Sequence, residues 1–153
     1  MPRAPRQLAS RGLYHVYCHT VRGEPVFADP AEVGAFLDRL RGIVRREAWT
    51  VLAWSLVPDG YHLALRTSER PLPRGMKSLQ GGFSQDFNLR HASAGPLWRG
   101  RYRACLLRAD DDLAPMIVAI HRLGVSPSST SPRSMCVASG HQEVLSHQRD
   151  SIL

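Results

Sequence analysis

Residues 50–67 read TVLAWSLVPDGYHLALRT, and this stretch decides the fold. Residues 50–57 are a run of apolar and β-branched side chains, which is typical of a mostly buried strand. Residues 58–60, Pro-Asp-Gly, form a turn sequence. Residues 61–67 then alternate between side chains for two faces of a sheet, as a returning strand does. The stretch therefore predicts an antiparallel hairpin.

Four further elements flank this hairpin. An alternating strand is predicted over residues 13–21, and a helix begins at Asp29-Pro30, where apolar residues recur at helical spacing. After the hairpin, the pattern predicts a helix over 76–88, a strand over 101–108 and a helix over 110–123. The order β-α-β-β-α-β-α predicts an α+β, ferredoxin-like fold. Its sheet has four antiparallel strands, with helices mainly on one face.

The 153 residues correspond to about one domain, which we place at residues 13–123. Residues 1–12 carry prolines and several arginines and are predicted to be a basic arm. Residues 124–153 are rich in serine and show little periodicity, which predicts a mobile tail. This division predicts one folded unit between two less structured ends.

The chain is basic, with 20 Lys and Arg against 13 Asp and Glu, a formal net charge of +7. Lys77 is the only lysine, so the positive charge is almost entirely guanidinium. Guanidinium groups fit phosphate oxygens and stack on bases, which favours a nucleic-acid partner. The alternative is a genome composition that favours arginine codons.

No stretch approaches the roughly 18 apolar residues of a membrane span, and the N-terminus lacks a hydrophobic signal segment. We therefore expect a cytoplasmic protein without a membrane partner. The three cysteines, Cys18, Cys105 and Cys136, are odd in number and lack CxxC spacing. They predict neither a disulfide framework nor a zinc site.

Short motifs spread over residues 13–123 resemble one family. In chain order they are Tyr14-His15-Val16, Glu24-Pro25-Val26-Phe27, Phe36-Leu37, Leu40, Trp49, Ala53-Trp54, Leu56, Met76, Leu79, Phe87-Asn88, Arg90-His91, Gly95-Pro96-Leu97-Trp98, Gly100-Arg101-Tyr102 and Ile120-His121. Together they resemble the REP-associated, insertion-sequence-200-like single-tyrosine HUH transposases, which cut single-stranded DNA. The resemblance implies a function in DNA transposition and DNA recombination, and a homodimer.

The family's metal site matches this chain at one position only. After the hairpin turn the family carries histidine, a hydrophobic residue and histidine, and both imidazoles hold Mg²⁺ or Mn²⁺. Residues two apart on a strand share a face, so such a pair can meet one ion. Here His62 matches the second histidine and Gly60 stands at the first. We therefore expect no metal cofactor. The alternatives are a sheet histidine with a hydrogen-bond partner, and a rebuilt site that recruits His15 or His19.

The family's nucleophile is a tyrosine on the last helix, and Ala119 occupies that position. Leu123 replaces the polar residue that completes the metal shell, while His121 is retained. A methyl group cannot attack a phosphorus atom or form a phosphotyrosine link. The resemblance therefore implies a degenerate active site and an inactive enzyme, although an active enzyme with a relocated site stays open.

Binding does not need the metal, and residues 97–103, LWRGRYR, interleave aromatic and guanidinium side chains. This composition is used to hold single strands. We expect Trp98, Arg99, Arg101 and Arg103 to bind single-stranded or hairpin DNA, together with the basic arm. The alternative is a core tryptophan flanked by solvated arginines. An RNA-binding module and a decayed remnant without a partner are the other two alternatives.

Overall fold

The computed structural model describes residues 9–107, 112–123 and 138–140. Its helices and strands, in chain order, are β1 (Leu13–His19), α1 (Pro30–Glu47), β2 (Thr50–Val57), β3 (Gly60–Arg66), α2 (Leu72–Arg90), β4 (Arg103–Leu106), α3 (Leu113–Arg122) and β5 (Ala138–Gly140). Two short 3-10 turns, Val21–Gly23 and Val26–Ala28, connect β1 to α1. The predicted order of elements is confirmed.

The strands form one sheet in the order β4-β1-β3-β2-β5, and every neighbouring pair is antiparallel. The predicted four-stranded antiparallel sheet is therefore confirmed, with β1 and β3 at its centre. The fifth strand, β5, was not predicted, and it pairs with β2 opposite Trp54 to Leu56. Its three residues come from the segment predicted as a tail; the rest of 124–153 and residues 1–8 of the predicted arm lie outside the described residues.

Helices α1 and α2 cover one face of the sheet and enclose the main core. From β3 this core takes Tyr61, Leu63 and Leu65, each with no exposed surface. Phe36 of α1 and Phe83 of α2 meet with ring centroids 5.4 Å apart. Alternate residues of one strand point to opposite faces, so His62 and Ala64 must face the other side of the sheet.

The helix boundaries follow from local chemistry. The Asp29 side chain accepts a hydrogen bond from the Ala31 amide at 2.9 Å, which caps α1 directly before Pro30. Helix α2 extends over Leu72–Arg90, beyond the predicted 76–88 at both ends. It passes through Gly81 and Gly82 unbroken because its inner side is anchored in the core by Met76, Leu79 and Phe83.

A buried carboxylate joins the two core helices. Glu32 of α1 is 3% exposed and accepts hydrogen bonds from Arg90 at 3.1 and 2.6 Å and from His91 at 2.8 Å. Burial alone raises the pKa of Glu32, but these two partners outweigh it and the net pKa is lowered. The charged pair thus holds the start of α1 against the end of α2.

Helix α3 lies on the opposite face of the sheet from α1 and α2. Ile120 is fully buried there against Ala53 of β2 and Ala64 of β3. The two small alanine side chains let α3 pack closely on the β2–β3 half of the sheet. No helix of the described residues covers the β1 side of this face. Among the helices of the described residues, none is both long and apolar enough to span a bilayer.

Candidate nucleic-acid interface

The face of the sheet that bears α3 also carries a cluster of rings, which we call the ring cluster. It consists of His15, Tyr17 and His19 of β1 and His62 of β3. Along β1, the three residues of the ring cluster alternate with Tyr14, Val16 and Cys18, which are buried in the main core. The strand pattern therefore places the polar rings together on one face.

His15 and His62 are in direct contact, with His15 Nε2 3.2 Å from His62 Nδ1. The Tyr17 ring contacts both imidazoles, at centroid distances of 5.0 Å to His15 and 5.3 Å to His62. Burial lowers the pKa of His15, and it lowers the pKa of His62 from 6.5 to about 4, helped by the neighbouring His15 and His19. At neutral pH these two rings are uncharged.

His19 occupies the space above Gly60, its partner across the β1–β3 ladder. A Cβ atom added to Gly60 would lie 2.6 Å from the Cys18 carbonyl oxygen and 2.8 Å from His19 Nδ1. Both distances are far shorter than atoms in contact allow. His19 Nδ1 also lies 3.5 Å from a carboxylate oxygen of Asp59 in the hairpin turn. The family's first histidine position is thus filled by another strand's imidazole.

The family's Mg²⁺ or Mn²⁺ does not fit these residues. Gly60 has no side chain that could bind a metal ion. Leu123, directly after α3, has an apolar side chain that is 45% exposed. His15 and His19 do approach His62, as a rebuilt site would require. In the described ranges, however, no group of three or more His, Cys, Asp or Glu side chains is arranged to hold a metal ion.

Helix α3 carries no tyrosine and no other side chain with a hydroxyl or a thiol. Ala119 is exposed on its outer side, next to the inward-facing Ile120, and carries only a methyl group. His121 is half-buried on the same helix. The four tyrosines of the sequence lie elsewhere; Tyr61 points into the main core on the face opposite His62, as its place in the strand predicts.

The structure divides residues 97–103 between core and surface. Trp98 is only 7% exposed, donates a hydrogen bond from Nε1 to the Gln80 carbonyl at 3.0 Å and meets Tyr61 edge to face. This burial corrects the expectation that Trp98 stacks on bases, because its ring is already packed against protein on the core side. Tyr102 is buried too, at 6% exposure.

Arg99, Arg101 and Arg103 alternate with these inward residues and are exposed. Arg103 lies opposite Tyr17 in the β1–β4 ladder, and the Arg99 amide bonds to the His19 carbonyl. Arg22 is exposed beside them, since the neighbouring Val21 amide bonds to the Leu97 carbonyl. We call these four residues the arginine edge. No carboxylate within the described ranges forms a salt bridge with any of them.

Most arginines elsewhere in the described ranges have acidic partners. Arg90 pairs with Glu32, Arg39 with Asp86 and Arg11 with Glu69. A groove of about 780 Å³ between α1 and α2 is lined in part by the Arg39–Asp86 pair, on the other side of the molecule. Within the described ranges, the arginine edge is set apart as a cluster of four exposed guanidinium groups without a carboxylate partner.

Two solved structures share this architecture. A REP-associated tyrosine transposase bound to a REP hairpin superposes with a TM-score of 0.70 at 13% identity, covering 82% of this chain and 73% of that one. The chain shares the fold of that transposase. A protein of Deinococcus radiodurans R1 assigned as a transposase matches with a TM-score of 0.54 at 20% identity, over 79% of this chain and 97% of that one. No family model and no curated protein matches the sequence.

Sequence reasoning missed two residues of this surface. Tyr17 was read only as a strand residue, since its neighbour Arg103 comes from a strand 86 positions later and only the fold brings them together. Arg22 sits in a 3-10 turn at a positive φ of 59°, outside any motif. The alternation in 97–103 did contain a usable signal, because side chains two apart on an extended segment share a face.

Proposed function

We propose that the protein binds single-stranded or hairpin DNA along the arginine edge and does not cleave it. The observation that carries this proposal is a set of exposed guanidinium groups that have no acidic partner among the described residues and lie beside the rings of Tyr17, His15 and His62. Unpaired guanidiniums are free to bind phosphate oxygens, often through two hydrogen bonds at once. The hairpin bound by the REP-associated tyrosine transposase of the same fold supports a DNA partner.

The absence of cleavage rests on Gly60, Ala119 and Leu123. The strand lacks one ligand, the helix lacks the attacking oxygen, and the exposed Leu123 supplies no donor. Phosphoryl transfer to a tyrosine needs both an activated oxygen and charge stabilisation at the phosphate. We therefore propose a binding protein on a transposase fold, assembled as a homodimer as the family resemblance implies.

The salt dependence of binding tests the arginine edge. Each phosphate contact to a single strand contributes about −0.7 to the slope of log affinity against log salt. The double variant Arg99→Ala, Arg101→Ala should therefore flatten the slope by about 1.4 in fluorescence anisotropy with a tailed DNA hairpin. The control, Arg41→Ala with Arg45→Ala on α1, removes the same charge from the helix-covered side and should keep the wild-type slope. Equal slopes for all three proteins, or no binding at about 50 mM salt, would reject the proposal.

Cleavage is tested on the unaltered chain. Incubated with tailed hairpin DNA and Mn²⁺ or Mg²⁺, it should give no covalent DNA–protein adduct on a denaturing gel. An adduct that survives denaturation would show an active enzyme with a relocated site. Analytical ultracentrifugation of the same preparation measures whether the protein is a homodimer.

RNA is a second candidate, favoured by one observation. The rings of Tyr17 on β1 and His62 on β3 stack on each other on the face of the antiparallel sheet whose β1 side carries no helix from the described residues. Several RNA-binding modules stack bases on aromatic residues of such a sheet. A competition experiment decides between DNA and RNA. Hairpins with a DNA tail and with an RNA tail of the same sequence compete for the protein against a labelled hairpin, and displacement of the label at lower concentrations of the RNA-tailed hairpin would favour RNA.

A further inference from the structure

We propose that an unpaired nucleotide binds where β1 meets β4, on the part of the sheet face that no helix of the described residues covers, with its base stacked on Tyr17 and its phosphate held by Arg103. This inference rests on the proposed function and adds a base-binding position to it. The arginine edge alone would bind any nucleic acid, paired or unpaired. A stacking position would select strands whose bases are accessible.

The Tyr17 ring is held in place from one side. It lies nearly parallel to His62, with an interplanar angle of 10°, and it also contacts His15. Those imidazoles contact each other at 3.2 Å, so they form a linked support. Tyr17 itself is half-buried, so it is not sealed in the core. A ring fixed before binding loses little conformational entropy when a base stacks on it.

The side of Tyr17 towards β4 is where a base fits. Its ladder partner there is Arg103, and the next partners along the ladder are Cys105 and His15. Arg103 and Cys105 are both exposed. The residues that alternate with them along β4, Ala104 and Leu106, pack on the main core. The β4 side therefore offers no aromatic ring of its own, and a base would extend the stack of rings that begins at His62.

Charge favours the same position. Burial keeps the His15 and His62 rings that support Tyr17 uncharged at neutral pH. Arg103 is exposed and forms no salt bridge with a carboxylate of the described residues, so its guanidinium can take the phosphate of the stacked nucleotide. Arg101 and Arg99 continue the exposed row away from β4. Stacking and phosphate binding are thus offered by directly opposite residues of one ladder.

The main experiment compares Tyr17→Leu with Tyr17→Phe. Fluorescence anisotropy is measured with a DNA hairpin that carries a short unpaired tail, and with the same hairpin made blunt. Loss of the stacking ring should weaken tailed-hairpin binding by between about fivefold and a hundredfold at every salt concentration, without changing the salt slope. Tyr17→Phe keeps the ring and should bind within about twofold of wild type. The blunt hairpin should bind all three proteins alike.

A second measurement uses the wild-type chain and needs no stable variant. A 5-iodouracil base in the unpaired tail, irradiated in the complex, should form a crosslink that mass spectrometry maps to Tyr17. Tailed DNA should also slow alkylation of the exposed Cys105 thiol, in a Cys136→Ser background. Protection by the tailed but not the blunt hairpin places the unpaired strand over β4.

The outcomes separate the two proposals. If Tyr17→Leu binds the tailed hairpin like wild type and the crosslink maps elsewhere, the stacking position is wrong. The arginine edge then stands, provided that Arg99→Ala with Arg101→Ala still flattens the salt slope. If wild type binds neither hairpin, the proposed function itself fails. If the RNA-tailed hairpin binds more tightly and loses affinity in Tyr17→Leu, the position is correct but its strand is RNA.

Discussion

The two faces of the sheet use the same strands for opposite purposes. Along β3, Tyr61, Leu63 and Leu65 are sealed under two helices, while Gly60 and His62 face the other side. The face under α1 and α2 is built of large apolar side chains, and the face that bears α3 of small residues, imidazoles and a half-buried tyrosine. The difference teaches that the main core is built on one face, while the face that bears α3 has only a small core around Ile120 and can carry polar side chains.

The largest expected effect contrasts two neighbours, Trp98 and Arg99. Trp98 belongs to the main core, so Trp98→Ala should lower the free energy of unfolding by about 3–5 kcal/mol. Arg99 is exposed, and Arg99→Ala should change it by no more than about 0.5 kcal/mol. Urea denaturation followed by circular dichroism measures both. Similar values for the two variants would contradict the division of residues 97–103 between core and surface.

The burial of His62 should make the stability of the fold depend on pH. The pKa of His62 is about 4 in the folded protein, against its ordinary value of 6.5. Between these two pH values His62 is protonated in the unfolded chain and neutral in the folded one. Stability is therefore fully present above about pH 6.5 and is lost as the pH falls towards 4. His62 should contribute a loss of about 2 kcal/mol between pH 7 and pH 5, and the lowered pKa of His15 acts in the same direction.

Urea denaturation at these two pH values, repeated for His62→Gln, isolates this contribution. The glutamine variant should lose clearly less stability between pH 7 and pH 5 than wild type. An unchanged pH dependence in the variant would show that His62 is not the group that titrates.

The next effect concerns two glycines. A Cβ at Gly60 meets the Cys18 carbonyl oxygen at 2.6 Å, so Gly60→Ala should destabilise the fold by about 1–3 kcal/mol. Gly42 lies inside α1 with nothing within 4 Å of an added Cβ. There alanine should stabilise by about 0.5–1 kcal/mol, because glycine is a poor helix former. Thermal unfolding of both variants is sufficient, and equal shifts would mean that the β1–β3 ladder can open without cost.

The smallest effect is expected on the outer side of α3. Ala119 and Leu123 are exposed, so Ala119→Tyr with Leu123→Asn should change stability by about 0.5 kcal/mol or less. The family's residues at these two positions can thus be introduced without lowering the free energy of unfolding. Gly60→His, in contrast, would bring its Cβ atom too close to the Cys18 carbonyl oxygen. A large destabilisation by the α3 pair would show that this surface is covered.

Much of this arrangement could be predicted from sequence. Alternation in residues 50–67 predicted the hairpin and placed Tyr61 and His62 on opposite faces, because strand side chains alternate whatever surrounds them. Departure from the family pattern at Gly60 and Ala119 predicts what a cleavage site would lack, and this stays a prediction. Local patterns carry this kind of information well.

What could not be predicted depends on contacts between distant segments. The Tyr17–Arg103 pair requires the register of β1 on β4, which no local pattern contains. The space that His19 takes above Gly60 depends in the same way on β1 and β3. Strand β5 is three residues without alternation and is defined only by its pairing with β2.

The central place of β1 has a consequence for synthesis of the chain. Its two ladder partners, β3 and β4, leave the ribosome only after about 40 and 90 further residues, several seconds later at ordinary rates. Until then, both edges of an aromatic strand are unpaired and can join another nascent chain. Codon choice between β1 and β4 should therefore influence how much of the protein aggregates in the cell.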